Sequence, residues 1–95
     1  MQYMIVETFV HGPGPVYARF QAQGRLAPAG LHYVSSVVSE DGYRCWQLME
    51  CDDRALLDEW MRNWADLVQF EVVPVMSSAA AAKRFGPDDA GGHLP

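Results

Sequence analysis

The stretch VVSEDGYRCWQLMECDD, Val37 to Asp53, decides how the chain folds. Asp41-Gly42 is the dipeptide that a two-residue type I′ hairpin turn prefers, and residues of high strand propensity flank it on both sides. It predicts a strand over Leu31 to Glu40 that returns as Tyr43 to Cys51. Such a turn sets the register. One face then carries His32, Val34, Ser36 and Val38 against Cys51, Met49, Gln47 and Cys45. The other carries Tyr33, Ser35 and Val37 against Glu50, Leu48 and Trp46. Asp52 or Asp53 ends the strand and is placed to cap a helix, where its negative charge suits the N-terminus.

On either side of the hairpin the pattern changes twice. Tyr3 to Val10 is rich in β-branched and aromatic residues and apolar in both alternating sets, as in a strand covered on both faces. HGPGP, His11 to Pro15, stops it, and a helix is predicted from Pro15 to Gln23, with Gly14 as cap and Gly24 at its end. GRLAPAG, Gly24 to Gly30, is a loop. After the hairpin, Leu57, Trp60, Met61 and Trp64 follow helical spacing, with Asp58 and Arg62 placed to pair one turn apart. Val68 to Met76 reads as a strand, and Pro74 within it marks an edge position. Ser77 or Ser78 can cap a short helix through AAAAKRF, and GPDDAGGHLP then reads as a flexible tail.

The order strand, helix, strand, strand, helix, strand is the split βαβ arrangement of ferredoxin-like α+β folds: a four-stranded antiparallel sheet with two helices on one face. It assigns residues 1–76 to one domain and 77–95 to a short helix and tail. The first and third strands are expected to be central, parallel neighbours. Two helices leave one face of the sheet bare although the strands are apolar on both, so a homodimer formed through that face is expected.

The segments MIVETF, YARFQAQGRLAPAGLHYVSS, DGYRCWQLMECDD and LLDEWMRNWADLVQFEVVPV resemble a family of small bacterial proteins classed only as a domain of unknown function. The resemblance runs from Met1 to about Val75 and implies a dimeric α+β barrel. It brings no catalytic residues, so a site must be argued from chemistry.

Composition narrows the classes. At 95 residues and 49% hydrophobic content the chain suits one thin-cored domain, one that buries roughly 60–65% of its unfolded surface. A net charge of -5 gives no footprint for nucleic acid or an anionic membrane surface. No apolar run reaches the roughly 18 residues that span a bilayer, and MQYMIVETFV has no basic leader, which makes the cytoplasm the expected compartment. Cys45 and Cys51 on one strand would stand roughly 20 Å apart, too far for a disulfide. HGPGP lacks the lysine and hydroxyl residue of a P-loop, and no GxSxG motif occurs. No metal or cofactor is expected.

Glu7 and Glu50 each interrupt an apolar strand and are candidate catalytic groups. Facing each other in an apolar cavity, one would have a raised pKa and act as a general acid or base. Tyr33, opposite Glu50, joins them as an orienting group. The plainer reading is a glutamate at the sheet end, bonded to Tyr33 or to backbone. Trp46 is a candidate pocket wall, with Ser35 on the same face. Gln47, a strand-centre amide that must find partners, and His32 are ligand-binding candidates on the opposite face; Gln47 bonded to Ser36, and His32 as a rim residue beside a buried Cys51 thiol, are the plain alternatives. Trp60 and Trp64 read as core.

The functional expectation is a homodimer that binds a small apolar or aromatic molecule, with cofactor-independent monooxygenase or isomerase chemistry by analogy of fold. The alternative is a non-catalytic structural or interaction module without a pocket. A cavity of about 300 Å³ or more touching Glu50 would separate them.

Overall fold

The computed structural model describes residues 1–87. Strand β1 (Gln2–Phe9) leads into helix α1 (Pro13–Gln23); β2 (His32–Val38) and β3 (Arg44–Glu50) form a hairpin; α2 (Arg54–Arg62) leads to β4 (Val68–Val75), and α3 (Ser78–Phe85) follows. The four strands form one antiparallel sheet in the order β2-β3-β1-β4, a ferredoxin-like α+β arrangement. Among the described residues no helix is long and apolar enough to cross a membrane.

β1 and β3 are central neighbours, but they run antiparallel, not parallel as expected. The α1 crossover returns the chain so that β1 and β2 point the same way, and β3, the hairpin partner of β2, must oppose both. Its register sets Glu7 against Cys45 and Gln2 against Glu50, which separates Glu7 and Glu50 towards opposite ends of the strand pair. They also lie on opposite faces. Tyr3, Ile5, Glu7 and Phe9 alternate inwards along β1, and Cys45, Gln47 and Met49 along β3, whereas Glu50 is exposed.

The hairpin keeps its predicted register from Val38–Cys45 to Ser35–Leu48. Its turn is a four-residue loop, closed by the Ser39 N–H donating to the Arg44 carbonyl at 2.9 Å and the Gly42 N–H to the Ser39 carbonyl at 2.8 Å. The Asp41 carboxylate accepts from the Ser39 hydroxyl at 2.7 Å and the Tyr43 N–H at 3.0 Å, so Asp41 is committed to the loop and not to a two-residue turn. Beyond Ser35 the register slips: Val34 is an extra residue, Tyr33 faces Met49, and His32 faces Glu50. A bulge of this kind transfers the residues beyond it to the other face. The expected pairing of Tyr33 with Glu50 is therefore replaced.

α1 begins at Pro13, two residues earlier than expected, with Gly12 as N-cap at φ 79°. Pro13 supplies the preset φ of a first helical residue, and Pro15 still lies in the first turn, where N–H groups have no intrahelical acceptor. Gly24 closes the helix at φ 73°, its N–H donating to the Phe20 carbonyl. At α2 the cap is Asp53, accepting from the Ala55 N–H at 2.9 Å. Asp58 pairs backwards with Arg54, at 3.4 Å, rather than forwards with Arg62. Ser77 caps α3, accepting from the Ala80 N–H at 3.1 Å. The expected tail lies largely beyond the described residues.

Leu57, Trp60 and Trp64 pack onto the inward face of the sheet, in one core with Ile5, Phe9 and Met49. Among the described residues β4 pairs only with β1, and Pro74 sits on this edge strand, as its missing N–H requires. The outward face carries Met4, Val6, Trp46 and Leu48, half-buried, beside the exposed Val37 and Val73.

Candidate functional site

Among the described residues the inward face holds two buried polar side chains, Glu7 and Gln47, each 6% exposed. Strand alternation points both at the helices, and their strands are adjacent, which brings them within hydrogen-bond reach. Gln47 Nε2 donates to Glu7 Oε2 at 2.6 Å, and Gln47 Oε1 accepts from Arg25 Nε at 2.7 Å. One amide thus stands between a carboxyl group and a guanidinium, and both its ends are used.

Arg25 owes its position to the C-terminal end of α2 and the turn that follows it. Its backbone carbonyl accepts from Trp60 Nε1 at 3.0 Å and from Trp64 Nε1 at 2.9 Å, and the next carbonyl, of Leu26, accepts from Asn63 Nδ2 at 3.2 Å. Residues 60, 63 and 64 share one face of a helical turn, so a single surface grips the loop. Leu26 is held there at φ 61°, in the left-handed region that a leucine rarely enters. The Arg25 side chain is stacked as well: its guanidinium carbon lies 3.8 Å from the centre of the Tyr33 ring and 5.3 Å from that of Phe20. The Val34 bulge is what brings Tyr33 to this side, and the Tyr33 hydroxyl bonds the Ser36 hydroxyl at 2.8 Å.

Glu7, Gln47 and Arg25, with Trp60 and Trp64, line a cleft of about 140 Å³ between α1 and the sheet. Glu7, Gln47 and Arg25 are among its polar lining; Val16, Tyr17, Phe20, Val38, Trp60 and Trp64 supply much of the apolar lining. Burial raises the Glu7 pKa to about 7, against a smaller opposing pull from the Gln47 hydrogen bond and the Arg25 charge. Near neutral pH Glu7 therefore populates both protonation states, the condition for a general acid or base. Its neighbour Cys45 is pushed up to about 12, first by burial and then by the Glu7 charge, so its thiol stays protonated and is no nucleophile.

The cleft gathers some of the residues singled out from the sequence and disperses the rest. Glu7 and Gln47 meet in it, and Tyr33, which does not line it, stacks on Arg25. Glu50 is on the outward face, accepting from Gln2 Nε2 at 3.2 Å, with His32 exposed opposite it. Ser35, opposite Leu48, and Trp46, capped by Arg44 with its guanidinium 5.0 Å from the ring centre, belong to that same outward face. The cleft does not touch Glu50. Arg25 was not visible from the sequence: it lies in a glycine- and proline-containing loop with no motif around it, and the only signal that could have pointed there is that two tryptophans one turn apart need acceptors for their N–H groups.

The family model of a domain of unknown function, DUF3303, matches residues 1–87. Searches of the curated proteins and of the solved structures gave no match. With nearly its whole length matched, the chain belongs to the DUF3303 family, a domain of unknown function.

Proposed function

We propose that the protein binds a small, largely apolar molecule in the cleft between α1 and the sheet, with Glu7 as the group that exchanges a proton with it. The observation that carries this reading is Glu7 itself: a buried carboxyl group at a largely apolar cleft, with a pKa near 7 and hydrogen-bonded through Gln47 to a cation. A single carboxyl group in that state suits proton abstraction and return, as in a cofactor-independent isomerase. The alternative, a structural module without a pocket, has in its favour that this cleft does not reach Glu50. The Glu7 cleft weighs against it, although it is smaller than most ligand sites and points to a ligand of modest size.

The reading includes a homodimer closed through the outward sheet face. Met4, Val6, Trp46, Leu48, Val37 and Val73 give that face a continuous apolar centre, and a small domain gains by covering it. In such a dimer the cleft lies on the side of the sheet away from the interface and remains open.

The test is a screen of small neutral, cationic and anionic fragments against the labelled protein, followed by the indole N–H signals of Trp60 and Trp64. A binding cleft gives fragments that shift both signals saturably. If no fragment of any charge moves either one, the reading fails.

A further inference from the structure

The cation in this cleft has no directly contacting counter-ion among the described residues. Arg19 is paired with Asp66 at 2.7 Å and Arg54 with Asp58 at 3.4 Å, whereas no carboxylate among the described residues forms an ion pair with Arg25. Arg25 is half-buried, stacked on Tyr33 and near Phe20, so it has given up part of its hydration without a carboxylate in direct contact. Glu7, the one carboxyl group lining the cleft, is separated from it by the Gln47 amide. Only Nε of the guanidinium is engaged by a side chain; Nη1 and Nη2 have no hydrogen-bond partner among the described residues. Their fixed fork matches the two oxygens of a carboxylate.

Charge and size restrict the anion. The lining contains a single cation and an ionisable carboxyl group, which does not balance a phosphate dianion. A volume of about 140 Å³ walled by Tyr17, Phe20 and Val38 suits one ring and not two. Resting on the reading of this cleft as a ligand site, we infer that its ligand is a small single-ring monocarboxylic acid. The carboxylate is forked onto Nη1 and Nη2 of Arg25, and the ring lies against Tyr17, Phe20 and Val38. The protonated fraction of Glu7 lowers the repulsion such an anion meets.

The test compares benzoate with benzamide, which has the same ring and no charge, titrated into the full chain while the Trp60 and Trp64 indole signals and the Arg25 Nε–H signal are followed. Benzoate is expected to shift all three saturably and to bind about tenfold or more tightly than benzamide, as for a charge-assisted bond. Arg25→Met keeps the backbone carbonyl that holds the indoles and is expected to abolish that preference. Equal affinity for the two compounds, or an undiminished preference for benzoate in Arg25→Met, overturns the inference. Should the variant fail to fold, the benzoate-to-benzamide ratio on the wild-type chain decides alone. Neutral fragments that shift the indoles while benzoate does not would remove the carboxylate and leave the ligand cleft standing; silence from every compound would remove both.

Discussion

Replacing Glu7 with glutamine should change how stability depends on pH while leaving the fold intact. The glutamine carbonyl can still accept from Gln47 Nε2, and the side chain keeps its shape and burial, so what is lost is the ability to ionise. In the wild type the folded pKa is about 7 against an ordinary value of 4.5. Because the folded value is raised, Glu7's contribution is fully present below pH 4.5 and is lost as pH rises to 7, the unfolded chain releasing its proton first. At 1.36 kcal/mol per pKa unit, that interval corresponds to about 3 kcal/mol. Urea denaturation followed by tryptophan fluorescence, at half-unit steps from pH 4.5 to 8, should therefore show Glu7→Gln gaining on the wild type by about 3 kcal/mol across the series. In a domain this small that is a relative rise in Tm on the order of 15 °C. Asp41 and Asp66, whose pKa values are lowered by their hydrogen bonds, contribute equally to both proteins and drop out of the difference. Parallel pH profiles for the two chains would refute the claim that Glu7 is held in a desolvated site.

Other expectations follow from the same contacts. Trp60→Phe and Trp64→Phe each remove one of two donors to the Arg25 carbonyl and should each cost about 1–2 kcal/mol in urea denaturation. The double variant should cost more than the sum, since it leaves that carbonyl unpaired. Gly30→Ala should destabilise by more than about 1 kcal/mol in the same assay, because the position has φ 94° and the new Cβ would lie 2.9 Å from Leu56 Cδ1. Val6→Asp, on the outward face, should convert the proposed dimer to a monomer in sedimentation; an unchanged sedimentation coefficient, or a wild type that is already monomeric, speaks against face-to-face association. Asp53→Ala should lose about 1 kcal/mol through its helix cap.

Much of this architecture is legible in the residues. Asp53, Ser77, Gly24 and Pro74 each announce a cap, a helix end or an edge by local chemistry that tertiary packing does not override. The spacing of Leu57, Trp60 and Trp64 likewise fixes which side of α2 and of the turn after it is buried. The site was less readable because it depends on Val34. A bulge is a one-residue event with no composition of its own, yet it turns Tyr33 from a partner of Glu50 into a platform for Arg25. Glu50 drew notice as a carboxylate in an apolar strand, but that strand shows one face to the helices and the other outwards, and position parity alone decides that Gln47 is buried and Glu50 is not. Arg25 depended on contacts between residues 35 and 39 positions apart, which no local pattern carries.

The Gln47 amide has a consequence for where the cleft keeps its proton. An amide has two distinguishable ends, and Arg25 offers only N–H groups, so the oxygen must face the guanidinium and the nitrogen must face Glu7. Glu7 Oε2 is thereby fixed as an acceptor. When the carboxyl group is neutral, its hydrogen therefore resides on Oε1, the oxygen with no hydrogen-bond partner among the described residues. A fixed arginine, acting through a side chain that carries no charge of its own, makes two chemically equivalent oxygens inequivalent and assigns the acid and its lone-pair neighbour to separate positions in space.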